Sequence, residues 1–296
     1  ADDSLQSVQF ANVLDLLSEG EIEGIENGER GIFLDDTPVR DSSNNQNFEG
    51  YTVVTRNGTQ SQSYIPNLAG TESENAVNVE FTYATPVVRT ISNSNVDRLR
   101  ITVQVPALQT FETNGDITGN SVSIDIQVQY NGGGYTSVAT DTISGKTSNR
   151  YQRDYVIPLT GAFPVDVKLI RTTPDATSTR SQNETYWYSY TEIIDEKFRY
   201  PNSALAYLRF DSRQFSNIPT RKYLVRGIKV ALPSNATVDT TTYLGRVTYS
   251  GVWNGTFGAA QWCSDPAWCL WDLLTNTRYG ASIPASSLDR IGRAHV

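Results

Sequence analysis

The sequence predicts a mainly β fold: one discontinuous mixed domain formed by the two flanks of the chain, interrupted by an inserted antiparallel β-sandwich, with few short helices. Three observations predict it. Apolar and polar residues alternate at a period of two through the middle of the chain, the pattern of strands with one buried face. Clusters of Gly, Pro, Asn and Asp punctuate these runs at short intervals, as turns do. Apolar residues make up 38% of the 296-residue chain, enough for packed cores. No run approaches the roughly 18 apolar residues that a membrane helix requires.

Residues 12–25 open with Val13, Leu14, Leu16 and Leu17, which predict a short helix ended by Gly20. Ile32-Phe33-Leu34 predicts a short strand, turned by Asp35-Asp36-Thr37-Pro38. Residues 41–47 form a polar loop, and Asn57-Gly58 marks another turn. Leu99, Ile101, Val103 and Val105 then alternate with polar residues until Pro106. Val122, Ile124, Ile126, Val128 and Tyr130 give the cleanest strand of the chain. Asn131-Gly132-Gly133-Gly134 can supply the positive φ values of a tight hairpin, with a return strand over Tyr135 to Ile143. Tyr155, Ile157 and Leu159 predict another strand, Val165, Val167 and Leu169 the next, and Thr185 to Ile194 a further one. Residues 95–190 thus read as about six strands, a sandwich of fibronectin-like kind.

Leu205 to Asp211 and Tyr223 to Leu232 are strand-like, with Gly227 as a bulge. Near the C-terminus, Ser264 or Asp265 can cap a helix that Pro266 begins and Gly280 follows. Ala267, Leu270, Trp271 and Leu274 share its expected docking face. The domain boundaries expected are 1–94 with 191–280 for the discontinuous domain of the flanks and 95–190 for the sandwich, leaving 281–296 as a truncated or non-native tail.

The formal net charge of −8 disfavours wholesale binding of nucleic acid. The single histidine, His295, stands next to the end of the sequence, so mechanisms built on a central histidine are excluded. Two cysteines cannot staple a chain of this size. The acidic start lacks the basic and apolar regions of a signal peptide, and no Met occurs at all, so the sequence is expected to be cut from something longer.

Cys263 and Cys269 lie about 240° apart on a helix, which fits neither a disulfide nor a redox or zinc pair. They read as two small buried residues, with a reactive thiol at Cys263 as the alternative. Carboxylates cluster at Asp35-Asp36, at Glu19, Glu21 and Glu23, and at Glu192, Asp195 and Glu196. These read as solvated turns and strand ends; a glycosidase would need two of them facing each other across a cleft. Four formal glycosylation sequons begin at Asn57, Asn183, Asn235 and Asn254, as a chain rich in Asn, Ser and Thr produces by chance. No phosphate-binding glycine motif appears, and no cofactor or metal is expected. Tyr186, Trp187, Tyr188 and Tyr190 form the candidate interaction surface. With Tyr186, Tyr188 and Tyr190 on one face and Trp187 on the other, they read first as sheet packing and second as a carbohydrate-binding module.

Several ordered segments resemble the N-terminal part of the lambda-type phage tail tip attachment protein J (host specificity protein J) family. They are ANVLDLLSEGEIEG (11–24), IFLDDTPV (32–39), TRNGTQSQSYIP (55–66), TPVVRTISN (85–93) and NGGGYTSVATDTISGKTS (131–148). YTEIIDEKFRYPNSALAYLRFDSRQF (190–215), GIKVALPSN (227–235), YSGVWNGTF (249–257) and DPAWCLWDLLTNTRYG (265–280) complete the series. Cys269 and Trp271 depart from that pattern, where an aliphatic residue and Tyr are expected, and residues 287–296 do not match it.

The resemblance implies that the flanks form a discontinuous, β-rich, barrel-like hub domain, non-enzymatic, that closes the tail tube at the virion tail tip and takes part in host attachment and DNA ejection. It implies a homotrimer in the native assembly, resting on neighbouring tail-tip and tail-tube proteins and on the tape-measure protein. Phage DNA would pass without specific binding, and this fragment would not insert into a membrane. Assembly would take place in the bacterial host cytoplasm. The hub segments would supply the subunit contacts, the sandwich would face outward, and receptor choice would lie outside this fragment.

Overall fold

The computed structural model describes residues 3–5 and 7–288. The chain divides into two compact units, one of residues 1–8 and 66–197, the other of 9–65 and 198–296.

The first unit is a sandwich of two four-stranded antiparallel sheets. One has the order Thr136–Gly145, Asn120–Tyr130, Val165–Arg171, Val87–Ile91; the other Tyr151–Pro158, Arg98–Val105, Tyr186–Asp195, Ala69–Glu80. Alternation fills the core from both sheets: Val122, Ile124, Ile126 and Val128 join Leu99, Ile101, Val103 and Val105 in one buried cluster. Each such side chain contributes about 1.5–3 kcal/mol on leaving water. A small three-stranded sheet, Ile117–Thr118, Gln109–Phe111 and Ser181–Gln182, belongs to the same unit.

Buried Arg171 orders the loop before Tyr186: its Nη1 donates to the Asn183 carbonyl at 2.7 Å and its Nη2 to Asn183 Oδ1 at 2.9 Å. Residues 3–5 lie along the sandwich. The Ser4 amide donates to the Lys146 carbonyl at 2.8 Å, and Leu5 packs on the core. Gly145 makes room for them at φ +145, since a Cβ there would stand 2.8 Å from Ser4 Oγ.

In the second unit, Ser203–Asp211 runs between Phe10–Glu19 and Thr52–Asn57. Its Ala206, Leu208 and Phe210 pack with Ile32, Leu34 and Val39. Ile32–Leu34 pairs with Arg221–Tyr223 and, through a tight turn, with Thr37–Pro38. That turn needs positive φ at Asp35 (45°) and Asp36 (69°), which aspartate tolerates and β-branched residues do not. A third cluster gathers Val230, Leu232, Cys263, Trp268 and Trp271 beneath helix α1, Pro266–Thr275. Asp265 caps that helix by accepting from the Ala267 amide at 2.9 Å, with Pro266 in its first turn.

Five expectations are corrected. Residues 12–25 do not begin with a helix: Phe10–Glu19 is a strand antiparallel to Ser203–Asp211. Its Ala11, Val13 and Leu17 pack on the core, and a register shift between Leu16 and Ser18 accounts for the apolar doublet Leu16-Leu17 that, after Val13-Leu14, mimics helical spacing.

The sandwich does not begin at residue 95. Ala69–Glu80 pairs with Tyr186–Asp195, and Val87–Ile91 with Val165–Arg171, so its unit takes in residues 66–94, 191–197 and 1–8 as well. Among the described residues no barrel closes in the second unit, whose strands form separate sheets of two or three strands. Closure requires one continuous ladder of tilted strands, and many of these strands are too short to share one.

Gly227 is no bulge. Val225 faces Ile25 and Ile228 faces Ile22, so the register runs through it unbroken. The docking face of α1 is rotated from the expected one, with Trp268 buried beside Trp271 and Leu270 exposed. The tail expected over 281–296 includes a short 3-10 turn at Ala285–Ser287, while 289–296, including His295, lie outside the described residues.

Candidate interaction surfaces

The four aromatics of the candidate surface sit on Tyr186–Asp195, a central strand of the sandwich. Tyr186 faces Gln104 and Trp187 faces the core residue Val103; the next pair is Ser189 with Thr102, which leaves Tyr188 as an extra residue. This bulge turns Tyr190 to the side of Trp187, opposite Ile101. The expected grouping of Tyr186, Tyr188 and Tyr190 on one face is therefore corrected. Trp187 is 0% exposed, packs in the core and donates its Nε1–H to the Ser189 carbonyl at 3.0 Å. Tyr186 and Tyr188 are half-exposed and lie away from the core cluster, while Trp187 is withdrawn into it.

Five of the clustered carboxylates, Glu19, Glu21, Glu23, Asp36 and Asp195, are drawn into ion pairs. Asp195 holds Arg98 through both oxygens, Asp36 pairs with Lys222, and Glu19 with Arg278. Glu21 and Glu23 both approach Lys229, at 3.0 and 3.5 Å. Among the described residues every carboxyl with a displaced pKa, including Asp15, Glu29, Asp97 and Asp141, is displaced downward. A general acid needs the reverse. Among the described residues no group of three or more His, Cys, Asp and Glu is placed to hold a metal ion.

Cys263 precedes α1, and the Cys269 thiol on the helix donates back to the Cys263 carbonyl at 3.9 Å. Cys263 is buried, and burial pushes its thiol up to about 11, which removes the reactive-thiol alternative. Cys269 is exposed, contrary to the expectation that both are buried.

What the sequence does not announce is a recurring knot: one carboxylate shared by an arginine and a tyrosine hydroxyl. In the second unit Asp15 accepts from Arg221 Nε at 2.6 Å and from the Tyr223 hydroxyl at 2.5 Å. Glu29 likewise accepts from Arg40 Nε at 2.6 Å and Tyr51 at 2.7 Å. In the sandwich Asp141 accepts from Arg153 Nη1 and Tyr155, both at 2.6 Å. The Arg221 hydrogen bond lowers the Asp15 pKa against partial burial. At Asp141 burial opposes ionisation, and the bonds from Tyr155 and Arg153 outweigh it. No local motif signals such knots, because Asp15 and Tyr223 stand 208 positions apart.

The Asp15 knot borders a shallow depression of about 340 Å³ lined by Asp15, Leu16, Leu17, Arg221, Tyr223 and Val225. Leu16, 64% exposed, stands on the edge strand beside it. Elsewhere in this unit Val252 is 96% exposed on a loop held by Asn254 Oδ1, which accepts from the Thr256 amide at 3.0 Å. Apolar side chains on braced backbone, beside neutralised charge, suit contact with protein better than turnover of a small substrate.

Residues 71–196 match the family model described as the FNIII-A domain of tip attachment protein J. The matched span runs from the Ala69–Glu80 strand to the end of Tyr186–Asp195, and so covers the sandwich strands. The chain is 37% identical over 283 residues, 94% of its length, to tip attachment protein J of Escherichia phage SECphi4. The chain is homologous to tip attachment protein J. A second J protein, from Escherichia phage SECphi27, is 36% identical over 281 residues, again 94% of the chain. The chain spans about a quarter of the length of these J relatives, 24% and 23% respectively. A likeness to Eiger TNF from S. frugiperda, at 8% identity and a TM-score of 0.21 over 54% of this chain and 92% of that one, is too distant to carry any argument.

Proposed function

We propose that this chain is a structural part of a bacteriophage tail tip and acts in host attachment. The observation that carries this reading is the 37% identity to a tip attachment protein J across 94% of the chain. Such similarity extends through both units and is not confined to the sandwich. In finer terms, the 9–65 and 198–296 unit is the hub portion that closes the tail tube, homotrimeric in the assembly. It rests on neighbouring tail-tip and tail-tube proteins and the tape-measure protein, and it participates in DNA ejection. The site of action is the virion tail tip, after assembly in the host cytoplasm. A net charge of −8 supports passage of DNA without retention, because a basic lining would hold the phosphates. The work is done by shape and surface, without catalysis or cofactor.

Immunogold labelling tests the reading. Antibodies raised against this chain should mark one end of the tail on particles of a phage that carries the gene. Labelling of the capsid or of the tail shaft would overturn it. Cryo-electron microscopy of the same particles would count the copies, and any number other than three would reject the trimer while leaving the tail-tip location standing.

A further inference from the structure

The sequence contains five Asn-Gly dipeptides, at Asn27, Asn57, Asn114, Asn131 and Asn254. Glycine has no side chain to shield its own amide nitrogen. Once that nitrogen loses its proton it can attack the preceding asparagine Cγ. A new N–C bond closes a succinimide ring, the Cγ–Nδ2 bond breaks, and the nitrogen leaves as ammonia. Water then opens either carbonyl of the ring, giving aspartate or isoaspartate with one added negative charge. The step needs a glycine N–H free to ionise and a carboxamide free to rotate.

Three of the five sites are held. The Gly58 N–H donates to Gln62 Oε1 at 2.9 Å, and Asn57 Nδ2 donates to the Glu23 carbonyl at 3.2 Å. The Gly115 N–H donates to the Glu112 carbonyl at 3.2 Å, while the Asn114 carboxamide bonds twice to Asp116, at 3.0 and 2.6 Å. Asn254 Oδ1 accepts from the Thr256 amide at 3.0 Å and hydroxyl at 2.7 Å.

The other two are open. Asn27 and Asn131 are exposed and lie in the left-handed region, at φ 60 and 46. Among the described residues neither carboxamide, nor the N–H of Gly28 or Gly132, has a hydrogen-bond partner. A Cβ placed on either glycine would meet nothing within 4 Å, as at Gly115 and Gly255, so hydrogen bonding and not steric room separates the sites.

We infer that Asn27 and Asn131 are sites of spontaneous deamidation and that the other three asparagines resist it in the folded protein. At Asn131 the consequence is structural. The residue lies in the hairpin between Asn120–Tyr130 and Thr136–Gly145, where the Gly133 amide closes a turn on the Tyr130 carbonyl at 2.9 Å. Isoaspartate would lengthen the main chain by one methylene inside that turn.

The test is peptide mapping by mass spectrometry after incubating the folded chain in mildly alkaline buffer, with a urea-unfolded sample alongside. In the folded sample Asn27 and Asn131 should convert roughly tenfold or more faster than the other three, whose hydrogen bonds must open first. In urea the five rates should converge. Conversion of Asn57, Asn114 or Asn254 at a rate close to that of Asn131 in the folded sample would overturn the inference. So would folded Asn27 and Asn131 remaining intact while the unfolded chain reacts.

Discussion

Trp187 and Tyr190 touch edge to face, ring centroids 6.1 Å apart and planes at 61°, on the same side of one strand. Three positions apart, they would point to opposite faces of a regular strand. The extra residue, Tyr188, reverses the alternation, so one bulge decides which aromatics are core and which meet solvent.

Shifting the strand beyond the bulge should therefore cost more than removing the Tyr188 side chain. Tyr188→Ala should leave the sandwich folded with a loss of about 1 kcal/mol or less, the usual range for a side chain outside the core. Insertion of one alanine between Ser189 and Tyr190 should push Trp187 and Tyr190 to opposite faces and unfold the unit, because a one-residue slip inverts the pattern beyond it. Trp187→Ala should cost about 3–5 kcal/mol. Urea denaturation of the three variants checks the ranking, and an insertion variant as stable as Tyr188→Ala would refute it.

The knot of Asp15, Arg221 and Tyr223 should behave as a unit. Tyr223→Phe should lose about 1 kcal/mol and Arg221→Ala about 1.5–3 kcal/mol, as hydrogen bonds to a charged group do. Arg221→Ala combined with Asp15→Asn should cost less than the sum of the two singles, since the stranded carboxylate is gone. A double-mutant cycle that closes to additivity would show that the three groups act separately.

Acid should weaken both units. Asp15, Glu29 and Asp141 are held below their ordinary pKa values by their Arg and Tyr partners, against partial burial. A depressed carboxyl contributes stability above its unfolded pKa and loses it as pH falls through the folded one. Melting temperature should therefore be level near neutrality and drop once pH passes below about 4. In Asp141→Asn that acid-linked loss should be smaller. A melting temperature unchanged down to pH of about 2, in wild type and variant alike, would contradict the linkage.

The two thiols should differ sharply toward an alkylating reagent. Cys269 is exposed and should react in the native chain, whereas Cys263 is buried with its thiol pushed up to about 11 and should react only on unfolding. Mass spectrometry of the native, iodoacetamide-treated protein should find one adduct, on Cys269. Equal labelling of Cys263 would mean that the cluster around Trp268 and Trp271 opens readily.

Legibility followed the burial pattern. Val122 to Val128 alternate without interruption, and their strand lies where the alternation places it. Asp265 and Pro266 carry the helix start locally, and the helix begins there. Ala69–Glu80 was not legible, because its apolar positions are few and its surroundings are Glu, Ser and Asn. Its strand character comes from the neighbour it pairs with. Leu14, Leu16 and Leu17 mislead for the opposite reason, since a bulged strand carries apolar side chains in doublets.

By itself the sequence determined the β class, the capped C-terminal helix, the absence of a usable central histidine and the kinship with tip attachment protein J. These rest on periodicity, capping residues and matched segments, all written in neighbouring positions. Only the tertiary structure decided where the sandwich begins, that no barrel closes among the described residues, and that Trp187 is core. It alone brought Asp15 to Arg221 and Tyr223. The reason is physical: strand pairing and shared carboxylates join residues far apart in the chain, and the free energy of such a contact depends on geometry that no local stretch encodes.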